Sequence, residues 1–135
     1  MSDLLVHHYP GTVVAWIAMG LLLLVQVLVA DVLGLRRKKP PGAAAEGGHD
    51  DLLWRAERAY GNTNETIAAF VLLSLAAIGY GAHPVLVNGS ALTFVAARGA
   101  HALCYWADLR LARSGTWIVA LLALLALAVS PLLPF

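Results

Sequence analysis

Residues 66–97 read TIAAFVLLSLAAIGYGAHPVLVNGSALTFVAA, 32 residues without a formally charged side chain. A helix that crosses a bilayer needs about 20 apolar residues. The run is therefore too long for one span and about right for a hairpin of two. The break is legible at Gly79-Tyr80-Gly81-Ala82-His83-Pro84: glycines suit a helix C-terminus, and a proline suits the first turn of the next helix. Outward from this hairpin lie two further uncharged runs, Gly11 to Ala30 and Ser114 to Phe135. Between the first run and the hairpin, Pro40 to Asp51 carries Pro-Pro, Gly-Gly and mixed charge, which ends a helix and a span alike. The reading is one all-α domain over residues 1–135, an integral membrane four-helix bundle with helices at about 12–35, 53–80, 84–109 and 115–133.

Composition agrees with this reading. The chain has 135 residues, of which 60% are hydrophobic and only 13% charged, and its mean hydropathy is +0.75. Soluble domains carry roughly a quarter charged residues, and disordered chains lack this much apolar surface. A net charge of +1 gives no basic face for nucleic acid. The first span has Asp3 before it and Arg36-Arg37-Lys38-Lys39 after it, the reverse of a cleaved signal peptide, so it is read as retained. Arg36, Arg37, Lys38, Lys39, Arg55 and Arg58 cluster around the first connection, and Arg110 and Arg113 lie in the third. The positive-inside rule then puts both connections in the cytoplasm and both termini outside it.

The chemistry concentrates on the two middle helices. Arg55, Arg58, Asn62 and Glu65 follow one another at spacings of 3, 4 and 3, and so do Arg98, His101, Tyr105 and Asp108. Such spacing places each set on one helical face. Counted from the turn at 80–84, Glu65 and Arg98 both lie roughly 21–23 Å from the outer end at 1.5 Å per residue. By the same count Asn62 levels with His101, Arg58 with Tyr105, and Arg55 with Asp108. A charge at a span centre costs about 2.5–3.5 kcal/mol on insertion scales and usually faces inward, paired, at a functional site. Glu65 and Arg98 are therefore expected within ion-pair or ligand-bridged reach. Polar stripes also serve as glue between membrane helices, but eight members exceed what adhesion needs, and converging arginines suit a ligand bearing carboxylates.

Other features say less. His7-His8 beside Tyr9 read as an interfacial segment rather than a metal site, and no metal is expected. Cys104, the single cysteine, forms no internal disulfide and reads as packing. Trp16, Trp54, Trp106 and Trp117 fall near span ends, as interfacial anchors do.

The segment Arg55-Ala-Glu-Arg58-Ala-Tyr-Gly-Asn62-Thr-Asn-Glu65, followed by an apolar run with Phe70, resembles the helix 2 signature of the MAPEG family, the membrane-associated proteins in eicosanoid and glutathione metabolism. Arg98, with Tyr105 seven residues later, and Arg113-Ser114 before the last span resemble the same family, in order along nearly the whole chain. The chain departs from the pattern at Tyr60, where members commonly have His or Gln, and at His101, where some have Tyr. The resemblance, to the bacterial type of member, implies a multi-pass protein of the bacterial inner membrane and a homotrimer. It also implies glutathione bound between subunits near the cytoplasmic face. Arg58, Asn62, Glu65, Arg98, His101 and Tyr105 would line that pocket, and Arg36 or Arg37 of a neighbour would meet a glutathione carboxylate. Arg113 would stand at the sulfur, with Arg110 the alternative.

The implied activity is a glutathione-dependent transferase or peroxidase acting on hydrophobic electrophiles or lipids that arrive through the membrane. Glutathione serves as co-substrate. A non-catalytic lipid- or glutathione-binding protein of the same fold, and a small structural or pore-forming membrane protein, remain open at this stage. Arg113 has no acidic residue within four positions, so its charge is expected to be free for a ligand. The topology is directly testable. Cysteines introduced at Ala45 and Ala112 should stay unlabelled when a membrane-impermeant maleimide is added outside intact cells; ready labelling at either would invert the assignment.

Overall fold

The computed structural model describes residues 2–133; Met1, Pro134 and Phe135, at the ends of the expected domain, lie outside the described residues. A short helix α1 (Ser2–His8) leads into four long ones: α2 (Pro10–Arg36), α3 (Leu52–Gly79), α4 (Pro84–Trp106) and α5 (Arg110–Val129), closed by a 3₁₀ turn at Ser130–Leu132. Prolines open α2 and α4 at the first helical turn, where the missing N–H costs nothing. Asp51 caps α3 by accepting from the Trp54 N–H at 3.1 Å.

Three of these helices end in the same way. Beyond α3, Gly81 has φ 69°; its N–H bonds to the Ile78 carbonyl at 3.0 Å, and that of Ala82 to Ala77 at 2.9 Å. This is the Schellman pattern, which satisfies two of the carbonyls a helix leaves open. Lys38 (φ 53°) does the same beyond α2, with Lys39 N–H reaching the Gly34 carbonyl at 3.0 Å. Asp108 (φ 54°) does it beyond α4, with Leu109 N–H on Cys104 at 2.8 Å. The sequence reading carried the third helix to 109 and began the fourth at 115. The left-handed reversal at Asp108 ends α4 earlier, and α5 starts already at Arg110.

Packing follows from small residues. Ala15, Ala77, Ala91, Ala97, Ala120 and Ala123 are buried where helices approach, as close contact between membrane helices requires. Phe70 of α3 and Phe94 of α4 stack between them, ring centroids 4.6 Å apart, with Met19, Val87 and Leu127 around them. The outward faces of α2 and α5 are apolar and exposed, at Ile17, Leu21, Leu24 and Leu28 and at Ile118, Leu122 and Leu125. These two helices are long and apolar enough to cross a membrane. The segment α3–α4 carries the polar ladder between them.

The end of the bundle that carries α1 and the α3–α4 turn is pinned by side chains. Asn88 accepts from both the N–H and the hydroxyl of Thr12, each at 2.9 Å, and donates to the His8 carbonyl at 3.0 Å. Gly11 permits this, because a Cβ there would stand 3.0 Å from the Asn88 Cβ. Tyr9 donates to the Ala82 carbonyl at 2.6 Å, and Trp16 to Ser74 at 2.9 Å. At the other end Arg37 pairs with Asp51, and Lys39 with Glu57 at 2.7 Å, so the Pro40–Asp51 connection is tied to α3.

Lys38 holds a left-handed backbone at a cost of about 1–2 kcal/mol for a residue with a Cβ, whereas glycine gives up about 0.5–1 kcal/mol of unfolded-state freedom. Lys38→Gly should therefore raise stability by roughly 0.5–1 kcal/mol, read as a higher melting temperature in detergent. A fall would show that the lysine side chain itself contributes.

Candidate functional site

The site grows from contacts between α3 and α4 near the end where the two basic connections meet. Arg98 is 1% exposed, and its guanidinium donates to the backbone carbonyl of Asn62. The Asn62 side chain donates to the Tyr105 hydroxyl at 3.2 Å and to the Arg58 carbonyl at 2.9 Å. Buried His101 sits edge-on to Tyr105, centroids 5.2 Å apart. Its Nδ1 meets the Arg113 carbonyl at 3.0 Å and the Thr116 hydroxyl at 3.3 Å. A carbonyl only accepts, so Nδ1 carries a proton there.

The Arg113 side chain completes the site. Its guanidinium carbon lies 4.6 Å from the centre of the Tyr105 ring, within cation–π range. Asn62, His101, Tyr105, Arg113, Ser114, Trp117 and Ile118 line an open cleft of ≈ 390 Å³, inside the range of roughly 300–1,000 Å³ usual for small-molecule sites. Arg113 makes no ion pair with a carboxylate among the described residues. Arg110 is different. It holds Asp108 at 3.4 Å and Asp50 at 4.0 Å, and the hydrogen bond from Arg110 keeps the Asp108 carboxyl below its ordinary range. Of the two arginines proposed for the sulfur, Arg113 is thus the one with an uncommitted charge at the cleft.

Several expectations need correction within the single chain. Glu65 and Arg98 share a depth, and the carboxylate acts on the guanidinium electrostatically, but they form no ion pair among the described residues. Glu65 is exposed on α3, and so is Arg58; neither lines the cleft. Helix polarity explains what Arg98 finds instead. The Asn62 carbonyl points along α3 toward Thr66, hence to the level of Glu65, where Arg98 arrives. The side-chain register also shifts. Asn62 meets Tyr105 rather than His101, and Arg55 reaches the Trp106 carbonyl at 3.3 Å rather than Asp108. Side chains lean toward the N-terminus of their own helix, and in an antiparallel pair that offsets partners by up to a turn.

Arg36 lies away from this cleft, in an apolar groove of ≈ 430 Å³ with Leu28, Val32, Leu52 and Trp106. Arg37, the other residue expected to meet a carboxylate, is engaged by Asp51. The residue that sequence reasoning missed is His49, whose Nδ1 lies 3.4 Å from the Arg113 Nη1. It sits in the irregular connection, where no periodicity could mark it.

A model of the MAPEG family matches residues 12–133. Neither the curated proteins nor the solved structures yield a match. With nearly the whole chain covered and two helices apolar enough to cross a bilayer, this all-helical membrane protein belongs to the MAPEG family.

Proposed function

We propose that the protein is a membrane-embedded, glutathione-dependent transferase or peroxidase that conjugates or reduces hydrophobic electrophiles. The observation that carries this reading is the Arg113 guanidinium, held over the Tyr105 ring in the wall of the cleft, with no carboxylate paired to it among the described residues. A thiol becomes a strong nucleophile only as the thiolate. A permanent cation beside it favours the charged form, at about 1.4 kcal/mol for each pKa unit. In conjugation the thiolate attacks the electrophilic carbon, and the leaving group, a halide for instance, departs with the bonding electrons. Asn62 and Tyr105 supply hydrogen-bonding groups for the peptide. Trp117 and Ile118 continue the cleft wall onto the exposed face of α5, where a lipid-soluble partner would arrive from the membrane.

The exposed charges of α3 support an assembly of copies, which we take to be the homotrimer that the family resemblance implies. Arg58 and Glu65 stand exposed on α3, beside the cleft but outside its lining. A charge left facing hydrocarbon is costly, so a second subunit would cover this face. Arg36 makes no ion pair among the described residues, as expected of a cation that serves a neighbour's ligand. The basic connections meet at one end of the bundle through Arg113–His49 and Arg110–Asp50. We assign that end to the cytoplasm, with the termini on the far side of a bacterial inner membrane.

Arg113→Ala should lower kcat for a chlorinated nitrobenzene by about 100–1,000-fold, the range for loss of one charge-stabilising donor. Glutathione should still stabilise the variant in a thermal-shift titration, and the ultraviolet absorbance of the bound thiolate should titrate at higher pH. An unchanged thiol titration would remove Arg113 from the catalytic role. Native mass spectrometry in detergent should show trimers; monomers or dimers alone would defeat the shared-site reading.

A further inference from the structure

The connection after α2 is a built element that carries His49 to a fixed place. Lys39 holds Glu57 at 2.7 Å, and the second oxygen of Glu57 accepts from the Ala45 N–H at 2.9 Å. Arg55 of α3 donates to the His49 carbonyl at 2.6 Å. The imidazole packs edge-on against Trp54, centroids 4.6 Å apart. Backbone and ring of His49 are thus both held by α3, and its remaining contact crosses to α5, Nδ1 to Arg113 Nη1 at 3.4 Å.

An arginine has donors and no acceptor. At 3.4 Å the contact is longer than the usual range, and it is a hydrogen bond only when Nδ1 offers its lone pair, with the imidazole neutral and its proton on Nε2. A second proton would set N–H against N–H and cation against cation. The charged groups around the ring are Arg113 of α5, Arg55 of α3, Asp108 from the α4–α5 reversal, which interacts electrostatically with His49, and the adjacent Asp50, drawn to Arg110 at 4.0 Å.

We propose that His49 is a positioning residue for Arg113: the neutral imidazole accepts from Nη1 and holds the guanidinium against Tyr105 at the cleft, and the protonated imidazole releases it. The consequence for turnover rests on the reading that Arg113 stabilises the glutathione thiolate; the contact itself does not. A residue that only stapled the connection would need bulk and nothing more. Asn at this position keeps an acceptor oxygen near the place of Nδ1 and cannot gain a proton, whereas Leu keeps bulk and loses the acceptor.

The test compares wild type, His49→Leu and His49→Asn with glutathione and the chlorinated nitrobenzene. His49→Leu should lose about tenfold in kcat with little change in KM for glutathione, the effect of removing one hydrogen bond to a charged group. His49→Asn should recover most of that loss. Wild-type kcat in His49→Leu, or equal losses in Leu and Asn, would overturn the proposal. Nitrogen-15 spectra of the histidine rings, with His49→Asn used for assignment, read the contact without turnover. They should show His49 as the Nε2–H tautomer, with an Nδ1 signal that moves in Arg113→Ala; an Nδ1–H tautomer overturns the proposal. If wild type shows the expected ring signals and no turnover of glutathione, the glutathione reading falls and the placement of Arg113 by His49 stands.

Discussion

A guanidinium cannot shed its charge inside a protein, so the burial of Arg98 between α3 and α4 constrains everything near it. No carboxylate among the described residues pairs with it; it is held by the Asn62 carbonyl. That bond fixes the level at which the two helices meet, and the Asn62 side chain then reaches the Tyr105 hydroxyl. Tyr105 in turn presents its ring to Arg113 and stands nearly perpendicular to the ring of His101. The order of dependence runs from a buried charge, through a backbone acceptor, to the cation at the cleft. Removing one member of a buried polar set strands the others, and this is the physical reason to regard the chain of contacts as one unit.

The helix reversals decide what that unit can touch. Lys38 and Asp108 both turn the chain in the left-handed region at the same end of the bundle. The first folds the basic connection back onto α3, and the second starts α5 immediately beside it. Arg110 is absorbed by Asp108 and Asp50, which leaves Arg113 to face the cleft. Two arginines three residues apart thus stand in different surroundings through their acidic neighbours rather than through any difference in their own chemistry.

Much of the architecture was legible because it depends on counting. The four long helices follow from the length of uncharged runs against bilayer thickness, although the short α1 was not foreseen; the turn at 79–84 follows from Gly and Pro, and the depth of the polar residues from the rise per residue. The end of α3 was legible for the same reason, since Gly81 is the residue type that tolerates a positive φ. The ends at Lys38 and Asp108 were not, because side chains there obscure a conformation that only the tertiary fold imposes.

The sequence by itself determined the fold class, the family resemblance and the set of residues from which a site is built: Asn62, Arg98, His101, Tyr105 and Arg113. Periodicity and spacing are properties of one chain and survive without coordinates. Only the tertiary structure decided who meets whom. Glu65 and Arg58 turn to the outside of the protomer, the α3–α4 partners slip by the lean of their side chains, and His49 arrives from an irregular connection to face Arg113. Those outcomes depend on side-chain direction, helix polarity and a folded connection, and none of the three has a period that a sequence could display.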